Sequence, residues 1–259
     1  MIPKLTANVF HRFLETGRTS PGLFACETST GQTDYVVKLR GGMERSSAPL
    51  CELYASLLAQ FLGIYAPAPA IVLIEKDLTE AIADAVSDPR HADIIRNSVG
   101  WNFGSCFVPN ISSWPVDKHV PAAIRDDATK IFAFDALIQN PDRAFINPNL
   151  GTCGNQLIIF DHELAFSFLS AIFPSREPWK LATETYLDNH VFVGHLKGER
   201  CSLDFTGRLN SLSDALFREF ASQIPEIWNS EDLSKIEAHL RLMQEHAEEF
   251  AEEVGRRLA

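Results

Sequence analysis

Positive charge is scarce in this chain: 23 Lys and Arg stand against 34 Asp and Glu, for a net charge of −11 and a pI near 5.2. Nucleic-acid binding rests largely on cations that neutralise phosphates, so no direct nucleic-acid partner is expected. Cysteine is sparse as well. The five residues at 26, 51, 106, 153 and 201 form no CxxC pair and have no companion His at finger spacing, which argues against a zinc cluster. Reduced, mostly buried thiols in a cytoplasmic protein are the expectation. No run approaches the roughly 18 apolar residues of a membrane span. The opening MIPKLTANVFHRF has no apolar core of a secretory leader, so neither secretion nor membrane insertion is expected. GxSxG, HExxH, GxGxxG and Walker patterns are all missing.

What remains is ordinary globular material, 46% apolar and 22% charged over 259 residues, enough for one substantial core or two packed lobes. Residues 1 to about 40 read as short strands broken by turns, ending in the strand candidate Tyr35 to Leu39. From Leu50 to Leu62 the apolar residues share one helical face, and Gly63 is a natural stop. APAPAIVLIE reads as a proline-marked entry into a buried strand, residues 76–98 as helix-like, and VGWNFGSCFVP as another strand. Pro109, Pro115 and Pro121 bracket a non-helical connector. A helix over 122–139 then leads into a turn-rich loop. The final segment repeats apolar residues from Leu233 to Val254 at three- and four-residue intervals, the pattern of a coiled coil or of one amphipathic helix laid on its own domain. The second reading is preferred because the run is short, although self-association or a partner through 231–258 stays open.

The chemistry concentrates in NPDRAFINPNLGTCGNQLIIFDHELAF, residues 140–166. Asp142 is followed five residues later by Asn147, and Asp161 closes an apolar run fourteen residues beyond that. This is the order in which kinase-like phosphotransferases supply a nucleophile-orienting Asp and two magnesium ligands. Turn capping by Asx side chains is the alternative for Asp142 and Asn147, but it leaves the second acid unexplained. Upstream, YVVKL places Lys38 on a strand, where it can reach nucleotide phosphates if a helix carboxylate holds it; Glu52 is the obvious partner. A surface Lys is the alternative. GRTSPG, from Gly17 to Gly22, offers Thr19 and Ser20 in a loop able to cover a triphosphate. Glu163 is read as structural, and His190 and His195 as packing or loop residues.

The arrangement YVVKL, E, NPDRAFINPNL and IIFDHELAF resembles the HipA-like kinases, in particular their short single-domain members, and more distantly the type II phosphatidylinositol kinases. It spans roughly residues 10–170 and is strongest from Phe134 to Phe166. The resemblance implies an α/β (α+β), two-lobed protein-kinase-like fold, with a small β-rich N-lobe over about 1–114, a hinge about 115–121 and a mostly helical C-lobe over about 122–259, and with ATP between the lobes. By position, Lys38 corresponds to the phosphate-binding lysine, with Glu52 beside it, Asp142 to the catalytic aspartate, and Asn147 and Asp161 to the Mg2+ ligands. Ala144 stands where toxin members place His, and DHE replaces the DFG of ordinary protein kinases. The implied activity is ATP- and Mg2+-dependent transfer to a Ser or Thr hydroxyl of a protein, the enzyme itself included, with Thr19 and Ser20 as self-inhibitory acceptors. A lipid or small-molecule kinase and a nucleotide-binding pseudokinase are the alternatives.

Overall fold

The computed structural model describes residues 1–14, 19–115, 119–228 and 231–259. The chain divides into two units. The first comprises Met1–Leu53, Pro67–Pro109 and Gln223–Trp228, and the second Tyr54–Ala66, Asn110–Ser222 and Asn229–Ala259. The division at Pro109 lies a few residues before the expected 115–121 connector, of which 116–118 fall outside the described residues.

The first unit is a closed barrel of β1 (Lys4–Phe13), β2 (Gly22–Thr28), β3 (Gly31–Lys38), β4 (Pro69–Ile74) and β5 (Gly100–Cys106), in the order β1-β2-β3-β5-β4. β1 pairs antiparallel with β2 and parallel with β4, Leu5 facing Val72, so the barrel closes and no strand edge is left open. Gly31, at φ +119, makes the tight β2–β3 turn that L residues resist. Phe24, Val37, Leu39, Val72 and Ile74 fill the interior, and Ile82 and Ile95 join the same core. Those last two come from α2 (Lys76–Ala85) and α3 (Pro89–Arg96), where a single polar helix was expected. The break follows from the sequence, because Pro89 must begin a helix and Asp88 caps it by accepting from the Arg90 N–H.

Helix α1 (Ala48–Phe61) ends as expected, with Gly63 at φ +76 beyond its last turn. The second unit contains its later residues, α4 (Arg125–Leu137), and a small sheet of β6 (Ser112–Ser113), β7 (Leu150–Cys153) and β8 (Gln156–Ile159). Then follow α5 (Leu203–Asn210), α6 (Asp214–Gln223), α7 (Glu231–Glu245) and α8 (Ala247–Arg257). The expected terminal helix is thus two, broken at His246, whose ring stacks on Trp179 with centroids 3.5 Å apart. Leu233, Ile236, Leu240, Met243, Ala247, Phe250 and Val254 are all buried, so the repeat is a seam folded into the chain rather than an exposed coiled-coil strip. Among the described residues no helix is long and apolar enough to cross a membrane. Among the described residues no cysteine forms a disulfide.

Candidate active site

In the first unit, β3 ends at Lys38, whose Nζ lies 3.4 Å from Glu52 Oε1 on α1; the two side chains are 9% and 1% exposed. Burying two charges is costly unless they are held together, and a strand Lys held by a helix carboxylate is the arrangement that presents an ammonium to nucleotide phosphates. Thr19 and Ser20 are buried rather than displayed, with Ser20 at φ +48. The segment packs on the turn at Arg40–Gly42 so closely that a Cβ on Gly42 would sit 2.5 Å from the Thr19 carbonyl oxygen. Gly17 and Arg18 lie outside the described residues.

In the second unit everything depends on how α4 ends. A helix terminus leaves carbonyls without intrahelical donors, and buried ones need partners. Here each has one. Asp135 O accepts from the Asn140 N–H at 2.8 Å, Leu137 O from His239 Nε2 at 2.7 Å, and Ile138 O from the Phe166 N–H at 2.6 Å. The next carbonyl, of Gln139 at φ +46, accepts from the Ser167 hydroxyl at 2.8 Å. The end of α4 is therefore the anchor for the segment that follows Asp161.

The same helix anchors the Asp142 loop through Asp135, a fully buried carboxylate one turn from its end. Arg143 Nε donates to Asp135 Oδ2 at 2.5 Å, His190 Nε2 to the same oxygen at 3.0 Å, and Asn140 Nδ2 to Oδ1 at 2.8 Å. Arg143 then reaches across the loop with Nη1, which donates to Asn149 O at 2.5 Å and to Pro148 O and Phe160 O at 3.4 Å. A planar guanidinium can satisfy a carboxylate and several carbonyls at once, which an ammonium cannot. Burial by itself would raise the Asp135 carboxyl, but the Arg143 charge and the His190 bond outweigh it and hold it at about 2. Burial pushes His190 down. The Phe192 N–H donates to its Nδ1 at 3.2 Å, so the neutral ring carries its proton on Nε2, facing Asp135. The ion pair is a fixed, permanently charged peg.

Asp142 sits half-buried in this frame. Its N–H donates to Asn140 Oδ1 at 3.1 Å, an Asx turn, and its Oδ2 accepts from Asn149 Nδ2 at 2.8 Å. The Val191 N–H donates to Arg143 O at 2.9 Å and the Phe145 N–H to Asn189 O at 3.1 Å, so residues 143–145 form a short ladder with 189–191. Asn147 is exposed at the far end of that loop. Asp161 follows β8 in the left-handed region, φ +60, which Asp tolerates better than most residues; such conformations cluster at functional sites. Glu163 is buried, and it and Asp161 bring carboxylate oxygens within 4.8 Å of each other. Two hard oxygen donors this close suit a divalent cation such as Mg2+.

Of the residues singled out in sequence, Lys38 lies on Glu52 in the first unit, and Asp142, Asn147 and Asp161 lie in the second. Other residues of the frame carried less signal. Asp135, Arg143 and Asn149 went unremarked, and Glu163 was assigned to structure alone. The second Asn of NPN was the one local hint, since it lies on a loop already marked by its acid. His190 is a packing residue as read, with a bond to Asp135 as well.

A strand barrel with a buried Lys–Glu pair, and a helical unit carrying the Asp142 loop and Asp161, are features consistent with a kinase. The chain belongs to the HipA-like kinase family, whose model matches residues 7–254. Among solved structures it is similar to the crystal structure of a Helicobacter pylori proinflammatory kinase, CtkA, at 11% identity over 100% of both chains with a TM-score of 0.51. At that identity the likeness is one of fold. Comparison with curated proteins gives no match.

Proposed function

We propose that this kinase transfers the γ-phosphoryl group of ATP, with Mg2+, to a Ser or Thr hydroxyl of a protein. The observation that carries the reading is Asp142: a half-buried carboxylate with one oxygen held by Asn149, on a loop immobilised through Arg143. An acid fixed in this way can orient an acceptor hydroxyl and take its proton as the phosphoryl group departs, a contribution of about 10²–10⁴ in rate. Lys38, held by Glu52, is the cation for the nucleotide phosphates. Asp161 and Asn147, with Glu163 adjoining Asp161, would hold the metal, which neutralises charge on the phosphates when bound. Self-phosphorylation at Thr19 or Ser20 requires that segment to leave its buried position first.

The test is labelled ATP incubated with the purified protein and a cytoplasmic extract. Asp142→Ala should lower incorporation by about 10²–10⁴-fold and leave ATP binding largely intact, whereas Asp161→Ala should weaken Mg2+-dependent binding. Label on a phosphoinositide rather than on protein would favour a lipid kinase, and binding without transfer a pseudokinase. Near-parental turnover by Asp142→Ala would remove that residue from the mechanism.

A further inference from the structure

Resting on that assignment of Asp142, we infer that Asn149 is a positioning residue which holds the Asp142 carboxylate and ties it to the strand end that carries Asp161. Its side chain and its backbone serve the two ends separately. Nδ2 donates to Asp142 Oδ2 at 2.8 Å and faces Asp142 O at 3.4 Å; both neighbours are acceptors, which fixes the amide orientation. The carbonyl of Asn149 accepts from the Phe160 N–H at 3.2 Å and from Arg143 Nη1 at 2.5 Å, and Phe160 directly precedes Asp161. One residue thus sets the spacing of two acids nineteen positions apart in sequence.

The residue type fits the task. Asn149 is buried and sits at φ +44, where a side-chain amide is tolerated far better than an aliphatic or β-branched group. Asp would fit the space but replace the donor with an acceptor facing a carboxylate. Gly would keep the backbone and lose the grip. Asn147, by contrast, is exposed, so the two Asn residues of NPN stand in different environments.

The decisive variants are Asn149→Gly and Asn149→Asp, alone and combined with Asp142→Ala. Phosphoryl transfer is followed with γ-labelled Mg-ATP as phosphate released and as label on protein. Asn149→Gly should lower kcat by about 10²-fold, the scale of a small misplacement of a reacting group, while KM for ATP and the melting temperature stay near parental. Asn149→Asp should lose at least as much. In the Asp142→Ala background neither change should cost more, because a residue that acts through Asp142 has nothing left to position. A merely structural role would instead lower both backgrounds and the melting temperature together. A second readout needs no turnover: in the nucleotide-free protein the Asn149 side-chain amide protons should shift on Asp142→Ala, far more than on Asn147→Ala. An amide signal indifferent to Asp142→Ala, or parental kcat for Asn149→Gly, overturns the inference. Parental turnover for Asp142→Ala with a shifted amide would instead fault the catalytic reading and leave the contact standing.

Discussion

Lys38–Glu52 in the first unit and Arg143–Asp135 in the second are both buried ion pairs, yet their N–O separations are 3.4 Å and 2.5 Å. The second pair is the more heavily bonded, although Arg143 Nη2 is buried with no hydrogen-bond partner among the described residues. Asp135 also receives His190 and Asn140, and Arg143 Nη1 also reaches three backbone carbonyls, so the pair is tied to the loop from both sides. The first pair is longer than the 2.7–2.9 Å typical of a charge-assisted bond. An ammonium held at that distance can still turn toward an anionic ligand, whereas a guanidinium clamped from both sides cannot. On the proposed function, the contrast separates charge used as architecture from charge kept for chemistry, and it can be broken experimentally.

The largest expected effect is on stability at the Arg143–Asp135 pair. Arg143→Leu should cost about 3–5 kcal/mol in urea unfolding, because it strands a buried carboxylate and several carbonyls together. Adding Asp135→Asn should recover little, since the carbonyls remain without their donor. Recovery to parental stability by that double variant would reduce the peg to a simple ion pair.

At the looser pair the pattern should invert. Lys38→Met leaves Glu52 buried beside an apolar side chain and should destabilise somewhat, but Lys38→Met with Glu52→Gln should return to within about 1 kcal/mol of the parent, as neutral replacements of buried pairs often do. Turnover should stay lost in both. A double variant that still transfers phosphate normally would make Lys38 an ordinary structural cation.

A third effect sharpens the role of the α4 terminus. His239 is buried, stacked on Phe168 with centroids 4.4 Å apart, and burial depresses its pKa from 6.5 to about 4 against the opposing pull of the Leu137 carbonyl. The unfolded chain binds this proton at higher pH than the folded one does. Stability is therefore full above the unfolded value near 6.5 and falls as pH drops toward about 4, by about 3 kcal/mol at most. His239→Gln can keep a donor to Leu137 without titrating, and should flatten the decline between pH 7 and pH 4.5, the remainder coming from His190, whose shift has the same sign. Parallel pH curves for parent and variant would rule out His239 as the source.

The smallest effect expected is at Asn140, whose side chain joins Asp135 to the Asp142 N–H. Asn140→Ala removes two neutral-donor contacts and should cost about 1–2 kcal/mol, with kcat affected less than by Asn149→Gly. Equal losses of kcat would mean that the Asx turn, rather than the Asn149 amide, sets the position of Asp142.

Local pattern carried part of this molecule. The β-branched run before Lys38, the amphipathic stripe of α1 with its Gly63 stop, the turn-rich stretch around Asp142 and the short apolar strand before Asp161 all leave signatures within a few residues. Those signatures are enough to set these elements and the family. They do not extend to Arg143 on Asp135, to His190 on Asp135 across 55 positions, or to His239 on Leu137 across 102. Hydrogen bonds between distant segments have no period and no fixed spacing, so the pegging of the loop exists only once the chain has folded. The two Asn residues of NPN show the boundary most sharply. By sequence they are near-equivalent polar turn residues; by tertiary structure one is exposed and the other is buried against a carboxylate, because only Asn149 lies where Arg143 and the end of β8 converge.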